Sequence, residues 1–279
     1  MVQSMADLPE LFQQVVKFSL KPSEQINSII VIPRKPFLKR GGTPYQVLLS
    51  TSRGMLHLQE RVLPGKPPIV TYLPGEALLY AHHSLLLLYG RIELVGEVNT
   101  NLVRIIVEYN TVGEDLLEAV LKQFLRFTYC WTDTDISYHP QSDTLLDALQ
   151  AKSFKFMNGL RLYALQPGEK LLGFVFQPRI TKPALHFFRR PIAPEALLAL
   201  TDKAVIIIEE DKAWGAAYGW LITLCPRKFV TDIEVKPNQE WNDISVHLQR
   251  NGINEVCKMT LENETAQALE NLWLGQNND

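Results

Sequence analysis

Short apolar runs of strand length recur along the whole chain and are separated by polar turns. Tyr45–Thr51 and Met55–Gln59 are two such runs joined by a short polar turn, the pattern of a β-hairpin, and Ala196–Thr201 with Ala204–Ile208 repeats it. Further runs predict strands at Asn27–Ile32, Ile69–Leu73, Ala77–His82, Leu85–Tyr89, Arg91–Gly96, Leu102–Tyr109, Leu172–Gln177, Gly219–Leu224, Lys228–Val235, Ile244–Gln249 and Val256–Leu261.

Two segments carry the apolar spacing of an amphipathic helix instead. Leu116–Leu125 has its apolar residues at i, i+3 and i+4 behind an acidic start, and Ala266–Trp273 repeats this near the end of the chain. Leu8–Phe18 and Thr144–Met157 are predicted as shorter helices. Each set of strands is therefore preceded by one helix and closed by another.

The chain also repeats itself in sequence. Leu20–Glu24 has the pattern L-x-P-x-E and recurs as Leu165–Glu169, an offset of 145 residues, and the later matches stay in order while their offsets drift up to 152. These matches include Pro33-Arg34 with Pro178-Arg179, Thr51 with Thr201, and Thr71–Pro74 with Thr223–Pro226. Small shifts of this kind are expected from loop insertions. A period this long predicts a tandem domain rather than a solenoid.

Six or seven strands followed by one helix, found twice, resembles the pleckstrin-homology-like fold of bacterial PH-like and GRAM-type domains. The hairpin around Thr51 and the closing helices with Phe124 and Trp273 carry the resemblance. It implies a mainly β protein with α-helices: two tandem, partly open β-barrels, each closed by a C-terminal helix. The expected domains are residues 1–137 and 138–279. Another small β-barrel or sandwich in each half, or a single α+β domain, stays open as an alternative.

Composition excludes several classes of protein. The chain has 28 Lys+Arg against 30 Asp+Glu, a net charge of -2, so nucleic-acid binding through overall charge is not expected. Cys130, Cys225 and Cys257 lie far apart, which predicts buried free thiols and not a disulfide scaffold. No signal peptide and no apolar run of membrane-spanning length is found. A cytoplasmic protein is expected, with peripheral membrane contact left open.

No motif for a common active site is present. The sequence lacks the glycine patterns of dinucleotide and phosphate loops, the serine elbow of hydrolases and the paired histidines of zinc helices. His82 and His83 are adjacent in a predicted strand end, so their side chains point to opposite faces and do not suit one metal. Asp133 and Asp135 suit turn formation better than a magnesium site. We therefore predict no catalytic residue, no metal and no cofactor.

Two basic segments are the best candidate for a binding site. Residues 34–40 and 179–190 hold 8 Lys or Arg in 19 residues, about four times the density of the whole chain. The candidate ligand-binding residues are Arg34, Lys35, Lys39, Arg40, Arg179, Lys182, Arg189 and Arg190. Such side chains pair with phosphates or anionic head groups. In eukaryotic PH domains a basic loop at the equivalent place binds phosphoinositides; the match here is one of position only.

The expected function is a non-catalytic binding or scaffold module that contacts a protein partner or a second copy of itself. A peripheral adaptor for anionic lipid, using the basic segments, is one alternative, and an enzyme with an unrecognised site is another. Loops that are merely solvated also fit the basic segments. The run Leu85–Tyr89 is expected either to be buried on both sides or to form an edge used for self-association.

Overall fold

The structure is a computed structural model. It describes residues 4–34, 44–61, 65–129, 140–185, 188–210, 219–239 and 241–277, with backbone alone at 140, 183–185, 188–191 and 277. The predicted Asp133 and Asp135, and also Cys130, lie outside these residues. The chain is mainly β, with several antiparallel sheets and five α-helices in the described part.

The elements follow the predicted order closely. The strands are β1 Ile26–Ile32, β2 Gln46–Thr51, β3 Gly54–Gln59, β4 Ile69–Pro74, β5 Leu78–Leu86, β6 Tyr89–Val98, β7 Asn101–Tyr109, β8 Leu171–Gln177, β9 Ile180–Leu185, β10 Phe188–Ala193, β11 Ala196–Thr201, β12 Ala204–Glu210, β13 Gly219–Pro226, β14 Val230–Asn238, β15 Trp241–Arg250 and β16 Ile253–Glu262. The helices are α1 Glu10–Ser19, α2 Glu114–Thr128, α3 Pro140–Lys152, α4 Phe154–Gly159 and α5 Asn263–Asn277.

The chain divides into two compact units. Unit 1 comprises Met1–Leu78 and Leu88–Trp131, and unit 2 comprises Leu79–Leu87 and Thr132–Asp279. The short segment Leu79–Leu87, which is most of β5, thus belongs to unit 2 although unit 1 flanks it in sequence. The expected boundary at 137/138 stays a prediction.

Unit 1 is built on the antiparallel sheet β1–β2–β3–β4, with β6 and β7 forming a further hairpin. Helix α1 buries Phe12 and Val16 in a core shared with β2 and β3, through residues such as Val47 and Leu56. Helix α2 buries Phe124 completely, and Ser50 on β2 donates a hydrogen bond of 3.2 Å to Gln123 on this helix. Burial of these apolar faces is the main stabilising term for the unit.

Unit 2 contains the antiparallel strands β5–β13–β12–β11–β8, the sheet β14–β15–β16 and the hairpin β9–β10. Helix α5 packs on β8 at Gly173, where a Cβ would collide with the side chain of Leu272. Cys225 on β13 and Cys257 on β16 are buried free thiols, as the sequence predicted.

The two halves of the chain share the order of their elements. In each half four strands are followed by one turn of 3-10 helix, three more strands and a closing α-helix. The hairpin β9–β10 is additional and lies between β8 and β11. No closed barrel is found among the described strands. No described helix combines the length and apolar character needed to cross a bilayer.

Three sequence-based expectations are wrong in detail. Ala77–His82 and Leu85–Tyr89 are not separate strands: one strand, β5, ends at Leu86, and Leu87 is 76% exposed in a turn with φ of 47°. The two histidines lie within β5 and not at its end, with His83 buried. Residues 179–190 form mostly a hairpin and not a loop, with Lys182 opposite Arg190. Apolar or basic character does not by itself mark where a chain reverses.

Candidate functional site

A groove of about 350 Å³ opens in unit 1 beside the first of the predicted binding residues. It lies between the start of α1 and the end of the β3–β4 hairpin at which Gln59 pairs with Ile69. Pro9, Leu11 and Phe12 of the α1 region form its apolar side. Its polar side consists of Arg34, Tyr45, Glu60, Arg61 and Lys66.

Short-range backbone geometry places the polar residues together. Arg34 follows β1, Tyr45 directly precedes β2, and Glu60 directly follows β3. The amide of Glu60 donates to the carbonyl of Tyr45 at 2.9 Å, which extends the β2–β3 ladder by one step. The Tyr45 ring meets Phe12 edge-to-face at 5.3 Å. The groove therefore has a floor fixed by both the sheet and α1.

An ion pair occupies one end of this groove. Arg34 donates two hydrogen bonds to the Glu60 carboxylate, from Nη2 at 2.5 Å and from Nε at 3.2 Å, and the Tyr45 amide donates a third at 3.3 Å. The hydrogen bonds from Arg34 lower the pKa of Glu60, so the carboxylate stays ionised. Burial, assisted by the charge of Glu60, raises the pKa of Tyr45, so the phenol stays neutral.

Two further cations face the groove without a described carboxylate partner. Arg61 donates from Nε to the carbonyl of Pro67 at 3.1 Å, and this is a backbone contact. Lys66 makes no ion pair among the residues that the structure describes, and both side chains are exposed. Since Arg34 is neutralised by Glu60, the groove keeps an excess of positive charge at Arg61 and Lys66.

In unit 2 the corresponding glutamate is bound by two cations of the chain itself. Glu210, at the end of β12, accepts hydrogen bonds from Arg179 at 2.7 Å and from Lys155 of α4. Lys155 also lies 4.8 Å over the Trp220 ring, which packs against Phe156 at 5.1 Å. Burial acts to raise the pKa of Glu210, but the hydrogen bonds from Lys155 and Arg179 outweigh it and the pKa is lowered.

Exposure separates the two positions. The Glu60 side chain is 31% exposed, whereas that of Glu210 is 4% exposed. The amide of Glu210 donates to the carbonyl of Glu195 at 3.1 Å, as that of Glu60 does to Tyr45. The same local backbone arrangement thus holds a partly exposed carboxylate in unit 1 and a buried carboxylate in unit 2.

The predicted binding residues are only partly brought together. Arg34 and Arg179 each lie against a carboxylate, Lys182 is exposed on β9, and Arg189 and Arg190 are described only by their backbone on β10. Lys35, Lys39 and Arg40 lie outside the described residues.

Sequence reasoning missed Tyr45, Glu60, Arg61 and Lys66. One signal was available: an acidic residue ends the second strand of each repeated hairpin, at Glu60 and at Glu210.

A second groove, of about 320 Å³, lies in unit 2 on the sheet β14–β15–β16. It is acidic, with Asp232, Glu234 and Glu255 beside His247. Glu234 is paired with Lys236 at 3.0 Å and with His247 at 3.2 Å, and hydrogen bonds from these two groups lower its pKa. No group of three metal-ligating side chains is found in the described part of the chain.

Three further titratable groups with shifted pKa values lie outside both grooves. Burial lowers the pKa of His57 and of His83 to about 4 and raises that of Glu169 to about 7. His57 is hydrogen-bonded to Gln46 at 2.8 Å, and Glu169 to Thr201.

Neither a model of a known protein family nor any curated protein matches the sequence.

Proposed function

We propose that the chain is a non-catalytic binding module and that the unit 1 groove receives an acidic segment of a protein partner. One observation carries this proposal: Arg61 and Lys66 face a groove of about 350 Å³ without a described carboxylate partner. The groove also has an apolar side at Leu11 and Phe12, which suits a partner segment that combines a carboxylate or phosphate with an apolar side chain.

The chemistry of such binding follows from the exposure of the cations. Arg61 and Lys66 are exposed, so they attract an anionic partner mainly by raising the association rate, and added salt screens this attraction. Arg34 holds Glu60 in place and keeps the far end of the groove polar. Affinity beyond this comes from apolar contact with the exposed Leu11 side chain.

Unit 2 supports the same proposal by contrast. Lys155 pairs with the buried Glu210 and lies over the Trp220 ring, which packs against Phe156. A partner would have to displace Lys155 or Arg179 from Glu210, which is costly because it leaves a buried carboxylate unpaired. Binding is therefore assigned to unit 1 alone.

The fold belongs to the proposal as well. We infer two tandem PH-like domains that arose by duplication, each a partly open barrel with a closing helix. Support comes from the shared element order and from one recurring contact: Thr51 donates to Glu24 in one half, and Thr201 donates to Glu169 in the other.

A second candidate, binding to an anionic lipid surface, is favoured by α1. Phe18 is 90% exposed on this helix, and Leu11 is also exposed. Apolar side chains beside cations suit the interface of an anionic membrane.

The test is reversal of the two cations in one variant, R61E with K66E. Isothermal titration at low salt with a hexaglutamate peptide carrying one phenylalanine should show binding to the native chain, and the variant should lose roughly tenfold or more in affinity. The matched control reverses Arg53 and Lys258, one exposed arginine and one exposed lysine away from the groove. It should bind the peptide normally.

Two outcomes would redirect this assignment. Equal binding by the native chain and the R61E/K66E variant would remove the groove as the site. Sedimentation with phosphatidylglycerol vesicles, but not with phosphatidylcholine vesicles, that is lost in the variant and in F18S would favour the lipid surface.

A further inference from the structure

Strand β4 presents an open edge in unit 1. It pairs with β3 from Ile69 opposite Gln59 to Pro74 opposite Gly54, and no other described strand pairs with it. Ile69 is 44% exposed and Val70 is 40% exposed. Because neighbouring side chains of a strand point to opposite faces, the start of β4 is exposed on both of its faces. Leu73 is fully buried, so the open part of the edge is Ile69–Tyr72.

The corresponding strand in unit 2 shows what this edge can accept. Strand β13 is paired antiparallel on both sides, with β12 and with β5. Ile222 is the counterpart of Val70, because each residue directly precedes the matched threonine, Thr223 or Thr71. Ile222 lies opposite Ile208 on one side and His83 on the other. Ile222 is fully buried. An added antiparallel strand is therefore the natural cover for this position.

The β4 edge lacks the usual protection against such pairing. Ile69–Leu73 has the sequence I-V-T-Y-L and contains no charge. Strand β14, at the edge of the other sheet, instead carries Asp232, Glu234, Lys236 and Pro237. Charges and proline on an edge strand are how proteins prevent edge-to-edge association. In β4 the only such residue is Pro74 at its end, so the segment Ile69–Leu73 is unprotected.

We propose that two copies of the chain associate by antiparallel pairing of their β4 edges about a twofold axis. Two identical antiparallel strands are related by such an axis, so the contact closes on itself and does not grow into a fibre. Centred on the open segment, the pairing sets Val70 opposite Thr71 of the second copy and Ile69 opposite Tyr72. These β-branched and aromatic cross-strand pairs are stabilising. The inference is independent of the proposed groove function.

The proposal is tested with V70K, which places a charge on the edge twice in each dimer. Sedimentation velocity over a range of concentrations should show reversible dimers of the native chain. The variant should need roughly tenfold or more protein to form the same fraction of dimer. V256K is the matched control, because Val256 is also 40% exposed and also lies on an outer strand, β16. It should dimerise normally.

Amide hydrogen exchange gives a second measurement. In the native chain, the amides of Ile69–Tyr72 should exchange more slowly as the concentration rises through the dimerisation range. I69K replaces V70K if the latter does not show native circular dichroism. A native chain that stays monomeric, or dimers that persist in the charged variant with unchanged exchange at β4, would overturn the proposal.

Discussion

Glu169 and Thr201 illustrate how single side chains determine the shape of unit 2. The Thr201 hydroxyl donates a hydrogen bond to the Glu169 carboxyl group and accepts one from the backbone amide of Ala204 at 2.7 Å. The Glu169 carboxyl group also accepts a hydrogen bond from the backbone amide of Gln166 at 2.9 Å. These bonds tie the segment before β8 to the β11–β12 turn. The L-x-P-x-E pattern is thus explained by structure, because its glutamate holds a hairpin in place.

The pH dependence of stability follows from the burial of Glu169. Burial raises its pKa to about 7 from an ordinary value of 4.5, so the folded state keeps a proton that the unfolded state releases between these values. Its contribution to stability is present at low pH and is lost as the pH rises through about 7. E169Q should reduce this loss by about 1–3 kcal/mol between pH 4.5 and 7.5.

Urea denaturation of both proteins at the two pH values measures this difference. His57 and His83, whose pKa values are lowered to about 4 by burial, act in the opposite direction: their contribution is lost as the pH falls from 6.5 through 4. They are present in both proteins, so they cancel in the comparison. An identical pH slope in the native chain and the variant would contradict the assignment.

At the scale of elements, apolar runs predicted almost every strand and both closing helices, because burial requires those positions to be apolar. The run Leu85–Tyr89 contains a turn that its sequence does not indicate, because Leu87 and Leu88 are apolar like the residues of a buried strand but are exposed. The β9–β10 hairpin was missed because its proline and arginine content is typical of loops. Strand neighbours such as β5 and β13 are set by long-range packing and leave no local signal.

The candidate site could be predicted only in part from the sequence. Arg34 and Arg179 stood out through their basic neighbours, but their carboxylate partners lie 26 and 31 residues further along the chain. Only the folded hairpin brings them together.

Close packing between β3 and β4 leads to a prediction at Gly54. A Cβ at this position would lie 2.9 Å from the Cα of Pro74 and closer still to the carbonyl oxygen of Leu73, so backbone would have to move. G54A should therefore destabilise unit 1 by about 1–3 kcal/mol. G113A is the control, because nothing lies within 4 Å of a Cβ there. Thermal unfolding measures both, and equal melting temperatures would show that the hairpin yields easily.

At the scale of the whole molecule, the near-zero net charge conceals local differences. The unit 1 groove keeps two cations without described carboxylate partners, whereas the unit 2 groove is lined by three carboxylates. Of these two grooves, only that of unit 1 should accordingly bind an anionic probe.

The buried thiols report on the opening of unit 2. Cys225 and Cys257 lie with their sulfur atoms 3.7 Å apart, and the hydrogen bond between them, together with burial, raises the pKa of Cys225. In a C130S background, both should react with a disulfide reagent roughly a hundredfold or more slowly in the folded chain than in 6 M guanidinium. Fast reaction of the folded chain would show that the contact between β13 and β16 opens readily.

The position of Leu79–Leu87 has a consequence for how this protein can be divided. A fragment that begins at residue 138 would lack β5, and the side of β13 from Gly219 to Leu224 would lose its ladder of hydrogen bonds. That fragment would expose Ile222 on an uncharged edge prone to aggregation. During synthesis β5 is complete well before β13 has been made, so β5 cannot pair with β13 until later. A fragment that is to fold as unit 2 therefore needs residues 79–87 added to it, and dividing the chain at one position does not provide them.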